Sequence, residues 1–166
     1  MNSPSDATTF NPFLDSNHPL VPGNAVAAII LVSDGRYLLQ HRDPIPQIFF
    51  PDHWGMFGGA VEPGETDIQA LGRELHEELG VNIAESKTRH FTRFDFDFSF
   101  CGRGQIRRIF FEVGPIASDA MDRLVLGEGR EMRAFTGRDA LGTLRMAPYD
   151  NFALWMHVNK RRMVMD

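Results

Sequence analysis

The segment from Thr66 to Gly80 narrows the fold more than any other part of this chain. Thr66 followed three residues later by Gln69 is a capping box, and Gly80 sits where a helix needs a left-handed stop. At about 100° per residue, Ile68, Leu71, Leu75 and Leu79 fall within a sector of roughly 80°, a stripe that must be buried. Glu74, Glu77 and Glu78 fall in a second sector of roughly 100° beside it. Carboxylates gathered this closely repel one another, and a divalent cation relieves the repulsion. Mg²⁺ and Mn²⁺ favour such hard oxygen ligands, completed by water and substrate phosphate. A solvated surface helix shows the same acidic face, because Glu is a good helix former. The flanking residues decide between the two.

Those flanks supply a helix partner sheet. Ala25–Val32 is a continuous apolar run of buried-strand type, Ser33-Asp34-Gly35 is a turn, and Arg36–His41 is the returning strand of a hairpin. Asp43–Pro51, with three prolines, is a loop carrying Ile48, Phe49 and Phe50. From Thr88 to Phe100, Phe94, Phe96, Phe98 and Phe100 alternate with Arg93, Asp95, Asp97 and Ser99, which predicts a strand with one buried face. Cys101–Gln105 is a turn and Ile106–Val113 the partner strand; Glu131–Phe135 is a short strand. A short helix starts at Thr136 or Gly137, and a last one runs over Tyr149–Arg162, with Phe152, Trp155, Met156 and Asn159 spaced along it. This order of strands and helices predicts α/β or α+β layers.

The spacing around the acidic helix is the decisive pattern. Gly59 is followed after five residues by Glu65, then after seven by Arg73-Glu74-Leu75, and then by Glu77-Glu78, Gly80 and Val81. The segment resembles the box of the Nudix hydrolase family, G-x5-E-x7-R-E-U-x-E-E-x-G-U with U aliphatic, at every specified position. A chance match is on the order of one in ten million. The resemblance covers about a seventh of the chain. It implies an α/β/α sandwich with a mixed β-sheet, in which the box forms a loop, a helix and a loop. It further implies that Glu74, Glu77 and Glu78, with the backbone carbonyl of Gly58, hold Mg²⁺ or Mn²⁺. Glu65 and Arg73 are expected to pair, Gly59 to fit a tight backbone and Gly80 to stop the helix.

The implied reaction is attack by water on one phosphorus of a P–O–P linkage in a nucleoside diphosphate-X substrate. The general base is Glu74 or a later loop acid, Glu128 or Glu131, with Glu128 favoured by the glycines flanking it. Arg42, at the end of the second strand, is placed to touch phosphate. Trp54 and Phe57, with Phe49 and Phe50, are candidates for stacking on a base. Arg103, Arg107 and Arg108 read as solvated, and His41, His53, His76 and His90 as non-catalytic. Many triphosphate-cleaving relatives carry W-x-x-P-G-G before the box. Here Phe57 replaces that proline, so the resemblance leaves (modified) nucleoside triphosphates and nucleotide-sugars both open. The other reading is a nucleotide sensor on the same fold, which would bind without cleaving.

Composition limits the partners. At 166 residues, the chain suits one domain, here residues 25–166 behind a polar arm, residues 1–24. A net charge of −5 gives no general attraction for long nucleic acid. No apolar run approaches the ~20 residues of a membrane span, and the start lacks the pattern of a signal peptide. The single cysteine, Cys101, excludes an intrachain disulfide, so a reducing cytoplasmic setting is expected. A homodimer is compatible with the resemblance, since dimers are common in the family.

Overall fold

In a computed structural model describing residues 21–84, 87–99 and 104–163, the first apolar run becomes the central strand β1 (Ala25–Val32). β2 (Tyr37–His41) returns antiparallel to it, and the two-residue β3 (Trp54–Gly55) pairs with the end of β2. Helix α1 (Asp67–Leu79) follows, then the long hairpin of β4 (Thr88–Asp97) and β5 (Gln105–Ile116). β5 runs parallel to β1, so the sheet is mixed. β6 (Glu131–Phe135) pairs with β2, and the helices α2 (Gly137–Thr143) and α3 (Pro148–Met163) complete the described residues.

Side-chain alternation along β1 divides the core into two layers. Val26, Ala28, Ile30 and Val32 face α1, where Ala70, Leu71, Leu75 and Leu79 meet them. Ala27 and Ile29 face the other way, against Ala140 of α2 and Ala153 and Leu154 of α3. The result is the expected α/β/α sandwich. Both strand faces of β1 are covered, which is why its sequence is apolar without alternation.

Several expectations needed adjusting. The aromatic alternation does give a strand, but β4 ends at Asp97, and Phe94 and Phe96 are only half-buried. Their strand lies at the sheet edge, so Phe94 packs inward on the buried Phe110 and outward on Phe152 of α3, covering the core while staying partly open. In α3 the buried stripe is Asp150, Ala153, Leu154 and His157, while Phe152 and Trp155 are exposed. The two-residue β3 and a 3-10 turn over Ser118–Arg123 lie outside the sequence expectation, being too short for any periodic signal. Most of the arm over residues 1–24, the proposed turn residues Cys101 and Arg103, and Phe100 lie outside the described residues. No helix among the described residues is long and apolar enough to cross a membrane.

A buried polar chain fastens α3 to the sheet. The Tyr37 hydroxyl donates to His157 Nδ1 at 2.9 Å, and His157 Nε2 faces Glu112 Oε1 at 3.0 Å. Glu112 also receives Lys160 Nζ at 2.6 Å and Arg89. Burial first, and then the Lys160 charge, pushes the His157 pKa down to about 4, so the imidazole is neutral at pH 7 and its bond to Glu112 is not an ion pair. The unfolded chain takes up this proton near pH 6.5 and the folded one does not. Stability from this group is therefore complete above pH 6.5 and is lost as pH falls towards 4. Lowering the pH from 7.5 to 5 should cost about 2 kcal/mol through His157. Urea unfolding of the wild type and His157→Gln at both pH values measures it; equal pH slopes for the two proteins would exclude this assignment.

Candidate active site

The acidic helix and its flanking loops form as their local chemistry dictates. The Thr66 hydroxyl accepts from Gln69 N, the Gln69 side chain accepts from Thr66 N, and Gly80 is left-handed at φ 66°. Arg73 ties the loop to the helix: Nε donates to Glu65 Oε1 at 2.9 Å, Nη2 to Glu65 Oε2 at 3.1 Å and to Ala60 O at 2.9 Å. Its Nη1 donates to Glu74 at 2.9 Å and Glu77 at 3.1 Å. One guanidinium thus spans the whole box.

The three helix acids occupy different environments. Glu78 is 4% exposed; its carboxylate accepts from Gly58 N at 2.6 Å and from Gln40 Nε2 at 3.0 Å. Burial drives its pKa up to about 7, the Gln40 and Gly58 hydrogen bonds oppose the rise, and the charges of Glu74 and Glu128 add to it. Burial also raises the Glu74 pKa, against the opposing pull of Arg73. Glu77 is the outermost, its side chain about half exposed. Gly59 lies directly beneath the Glu74 carboxylate, where any Cβ would collide with it. Gly58, at φ +126°, is pressed against the Val26 carbonyl. These two glycines permit the loop to run between β1 and the carboxylates.

Glu128 reaches the same place from a distant loop. Val125 N donates to Leu79 O at 3.2 Å and Gly127 N to Glu78 O at 2.8 Å, so the loop is hooked onto the last carbonyls of α1. Gly127 packs so tightly on the Glu77 carbonyl that no side chain fits. On the far side, Arg130 N donates to His41 O at 2.8 Å, joining the loop to the end of β2. Glu78, Glu128, Gln40, Arg42 and Asp43 line a polar cleft of about 480 Å³. Glu131 instead pairs with Arg133 on β6.

A second cavity of about 260 Å³, lined by Gly58 and Gly59, shares Arg42 with the first. Its aromatic wall is Phe49, Phe96, Phe98 and Tyr149. The sequence pointed to Trp54 and Phe57 for this role, and the structure corrects both. Phe57 is wholly buried beneath α1, and Trp54 is packed between His41, stacked at 4.9 Å, and Phe135. Neither ring offers a face to a ligand. Arg108 is the second correction: it is not solvated but sits in this wall, its side chain 12% exposed, with Nη2 donating to Asp150 Oδ1 at 3.1 Å. Asp150 is fully buried, and its Oδ2 accepts from Met56 N at 2.9 Å. Gln40, Tyr149, Asp150 and Arg108 carry no sequence signal because each is defined by a partner remote in the chain.

Among the described residues, no three His, Cys, Asp or Glu side chains stand in a ready cation-binding group. Glu74 and Glu78 currently hold protein donors, so a cation would enter by exchange with them. The donor chemistry nevertheless fits a hard divalent ion. A buried carboxylate whose pKa rises to about 7 faces two further acids, and that excess of negative charge is what such an ion relieves.

Comparison with known proteins agrees with this geometry. A family model described as NUDIX domain matches residues 21–152, well over half of the chain. The nucleoside triphosphatase NudI of Escherichia coli O1:K1 is 38% identical over 66 residues, 40% of this chain and 46% of its own length. The chain thus aligns with less than half the length of that curated relative. Among solved structures, the Escherichia coli ORF135 protein superposes with a TM-score of 0.63 at 28% identity, covering 89% of this chain and 96% of its own. The MutT protein from Methanosarcina mazei Go1 gives 0.69 at 19% identity, with 89% and 99% covered, a likeness of fold.

Proposed function

The chain belongs to the Nudix hydrolase superfamily, and from that membership we propose that it is a divalent-metal-dependent pyrophosphohydrolase of nucleoside triphosphates. One observation carries the reading: the buried Glu78 carboxylate, flanked by Glu74 and Glu128, opens on a polar cleft that shares a wall with an aromatic cavity. Phosphates suit the first space and a nucleobase the second. Glu74, Glu77 and Glu78, with the Gly58 carbonyl, are the residues that would hold Mg²⁺ or Mn²⁺. Bound there, the ion would polarise the phosphoryl oxygens and make a water more acidic.

The protein's own groups do the remainder. Arg42 lies between the two cavities, where its guanidinium can hold a phosphate while the base stays seated. Arg73 keeps Glu74 against Gly59 and so fixes the acid helix relative to the loop. Glu128 serves as the general base. It lines the cleft and forms no ion pair among the described residues, whereas Glu74 is engaged by Arg73. Water attacks one phosphorus, the P–O bond to the bridging oxygen breaks, and Glu128 takes the water's proton. Products are a nucleoside monophosphate and pyrophosphate. The NudI relative, a nucleoside triphosphatase, supports triphosphates over nucleotide-sugars.

The test is a screen of nucleoside triphosphates and nucleotide-sugars with Mg²⁺ or Mn²⁺, products identified by mass. Pyrophosphate release is expected from triphosphates only, abolished by EDTA. Glu128→Gln should slow it by about 10²–10⁴-fold without weakening nucleotide binding. Tight binding of a nucleotide with no release from any compound would replace this reading with that of a sensor.

A further inference from the structure

The polar side chains at the wall of the aromatic cavity are biased towards donors. Arg108 has one anionic partner, Asp150, reached through Nη2 alone. Its Nε–H is buried and has no hydrogen-bond partner among the described residues. A guanidinium carries five N–H donors and no acceptor; with Nε enclosed, the terminal Nη1 and Nη2 are the donors left for a ligand at the cavity wall. Asp150 cannot serve a ligand, since one oxygen holds Arg108 and the other holds Met56 N. Asn24 lines the same cavity, and its Oδ1 is taken by Arg107 N at 3.0 Å, which leaves its amide NH₂ as the group on offer. Arg108 is also held rigidly: its guanidinium lies 4.1 Å from the centre of the Tyr149 ring.

We infer that Arg108, assisted by Asn24, makes this enzyme selective for substrates whose base presents carbonyl oxygen on the edge entering the cavity, the 6-oxopurines guanine and hypoxanthine rather than adenine. The O6 and N7 atoms of a 6-oxopurine are both acceptors and match a guanidinium edge. Adenine places an amino donor where O6 would lie, so a donor would face a cation with water excluded. The inference rests on the assignment of the aromatic cavity to the base in the proposed function.

Binding and turnover separate the two. Titration calorimetry of the full chain in EDTA with IMP, GMP and AMP should give at least tenfold tighter binding of the two 6-oxo nucleotides. With Mg²⁺, kcat/KM for ITP should exceed that for ATP by a similar factor. Arg108→Lys keeps a cation for Asp150 but loses the planar edge, and the IMP/AMP ratio should fall to about threefold or less. Because that variant could disturb folding, Asn24→Asp offers an independent check: it retains an oxygen for Arg107 N but turns the remaining donor into an acceptor, and should erode the same ratio. Equal affinity for IMP and AMP in the wild type overturns the inference. So does a preference that survives both substitutions in proteins that melt normally. A clear IMP preference with no triphosphate cleaved would leave base selection standing and remove the hydrolase reading alone.

Discussion

Glu78→Gln is expected to lower turnover by on the order of 10³-fold and yet leave the metal-free protein harder to unfold at pH 8. The two effects have one origin. Glu78 lies in the core side of α1 and its pKa is raised to about 7, chiefly by burial. A carboxyl with a folded pKa above its unfolded value binds its proton more tightly in the folded state. Its contribution is favourable at pH 4.5 and below, and stability is lost as pH rises through 7. At pH 8 the metal-free wild type therefore carries a penalty of about 3 kcal/mol from this group. Glutamine removes the charge, but its amide NH₂ replaces one of the two oxygens that accept separately from Gly58 N and Gln40, so about 1 kcal/mol is given back. The net gain should be roughly 2 kcal/mol at pH 8 and absent at pH 5. Urea unfolding in EDTA at the two pH values, beside turnover with Mg²⁺, reads both. Activity within tenfold of the wild type would remove Glu78 from the site. His157 gives stability the opposite pH slope, so the difference between variant and wild type is the informative quantity.

Asp150→Ala should be the most damaging single change to the fold, about 3–5 kcal/mol. Asp150 is fully buried at the start of α3, and one carboxylate joins three elements: α3 itself, Arg108 of β5 and the backbone at Met56 after β3. Alanine leaves the Met56 N–H unsatisfied and the Arg108 guanidinium buried without its anion. Asp150→Asn keeps an oxygen for Met56 N but no charge for Arg108, so it should fall between. Chemical denaturation ranks the three proteins. An alanine variant within 1 kcal/mol of the wild type would mean that the pair is open to water. The same buried ion pair orients the guanidinium to which base selection is assigned, so a folded Asp150→Asn should also blur discrimination between IMP and AMP.

What the sequence made legible was what is local in the chain. The capping box at Thr66 and Gln69, the Leu71–Leu75–Leu79 stripe and the left-handed Gly80 depend on neighbours within a few turns, and all were readable. So was the Glu65–Arg73 pair, through the spacing of the box. The walls of the cavities were not. Gln40 meets Glu78 across 38 positions, Arg108 meets Asp150 across 42, and Asp150 meets Met56 across 94. No periodicity encodes such pairings. An arginine in a strand reads as solvated until its counter-ion is known. Trp54 and Phe57 were candidates because they flank a glycine-rich loop, but long-range pairing buries both: Phe57 bridges to Ala28 of β1, and Trp54 pairs with His41 of β2 and bridges to Met146.

The bonds from Val125 and Gly127 to the end of α1 decide which changes the position of Glu128 can absorb. With Arg130 N on His41 O, Gly129 N on Asp43 Oδ2 and the Arg130–Asp52 ion pair, they moor the segment carrying Glu128 on both sides of the cleft, to the helix of the other acids and to the loop after β2. Several of these bonds are main chain to main chain, so the approach between Glu128 and the helix acids is insensitive to side-chain substitution in residues 125–127 and sensitive to any change in the length of that loop.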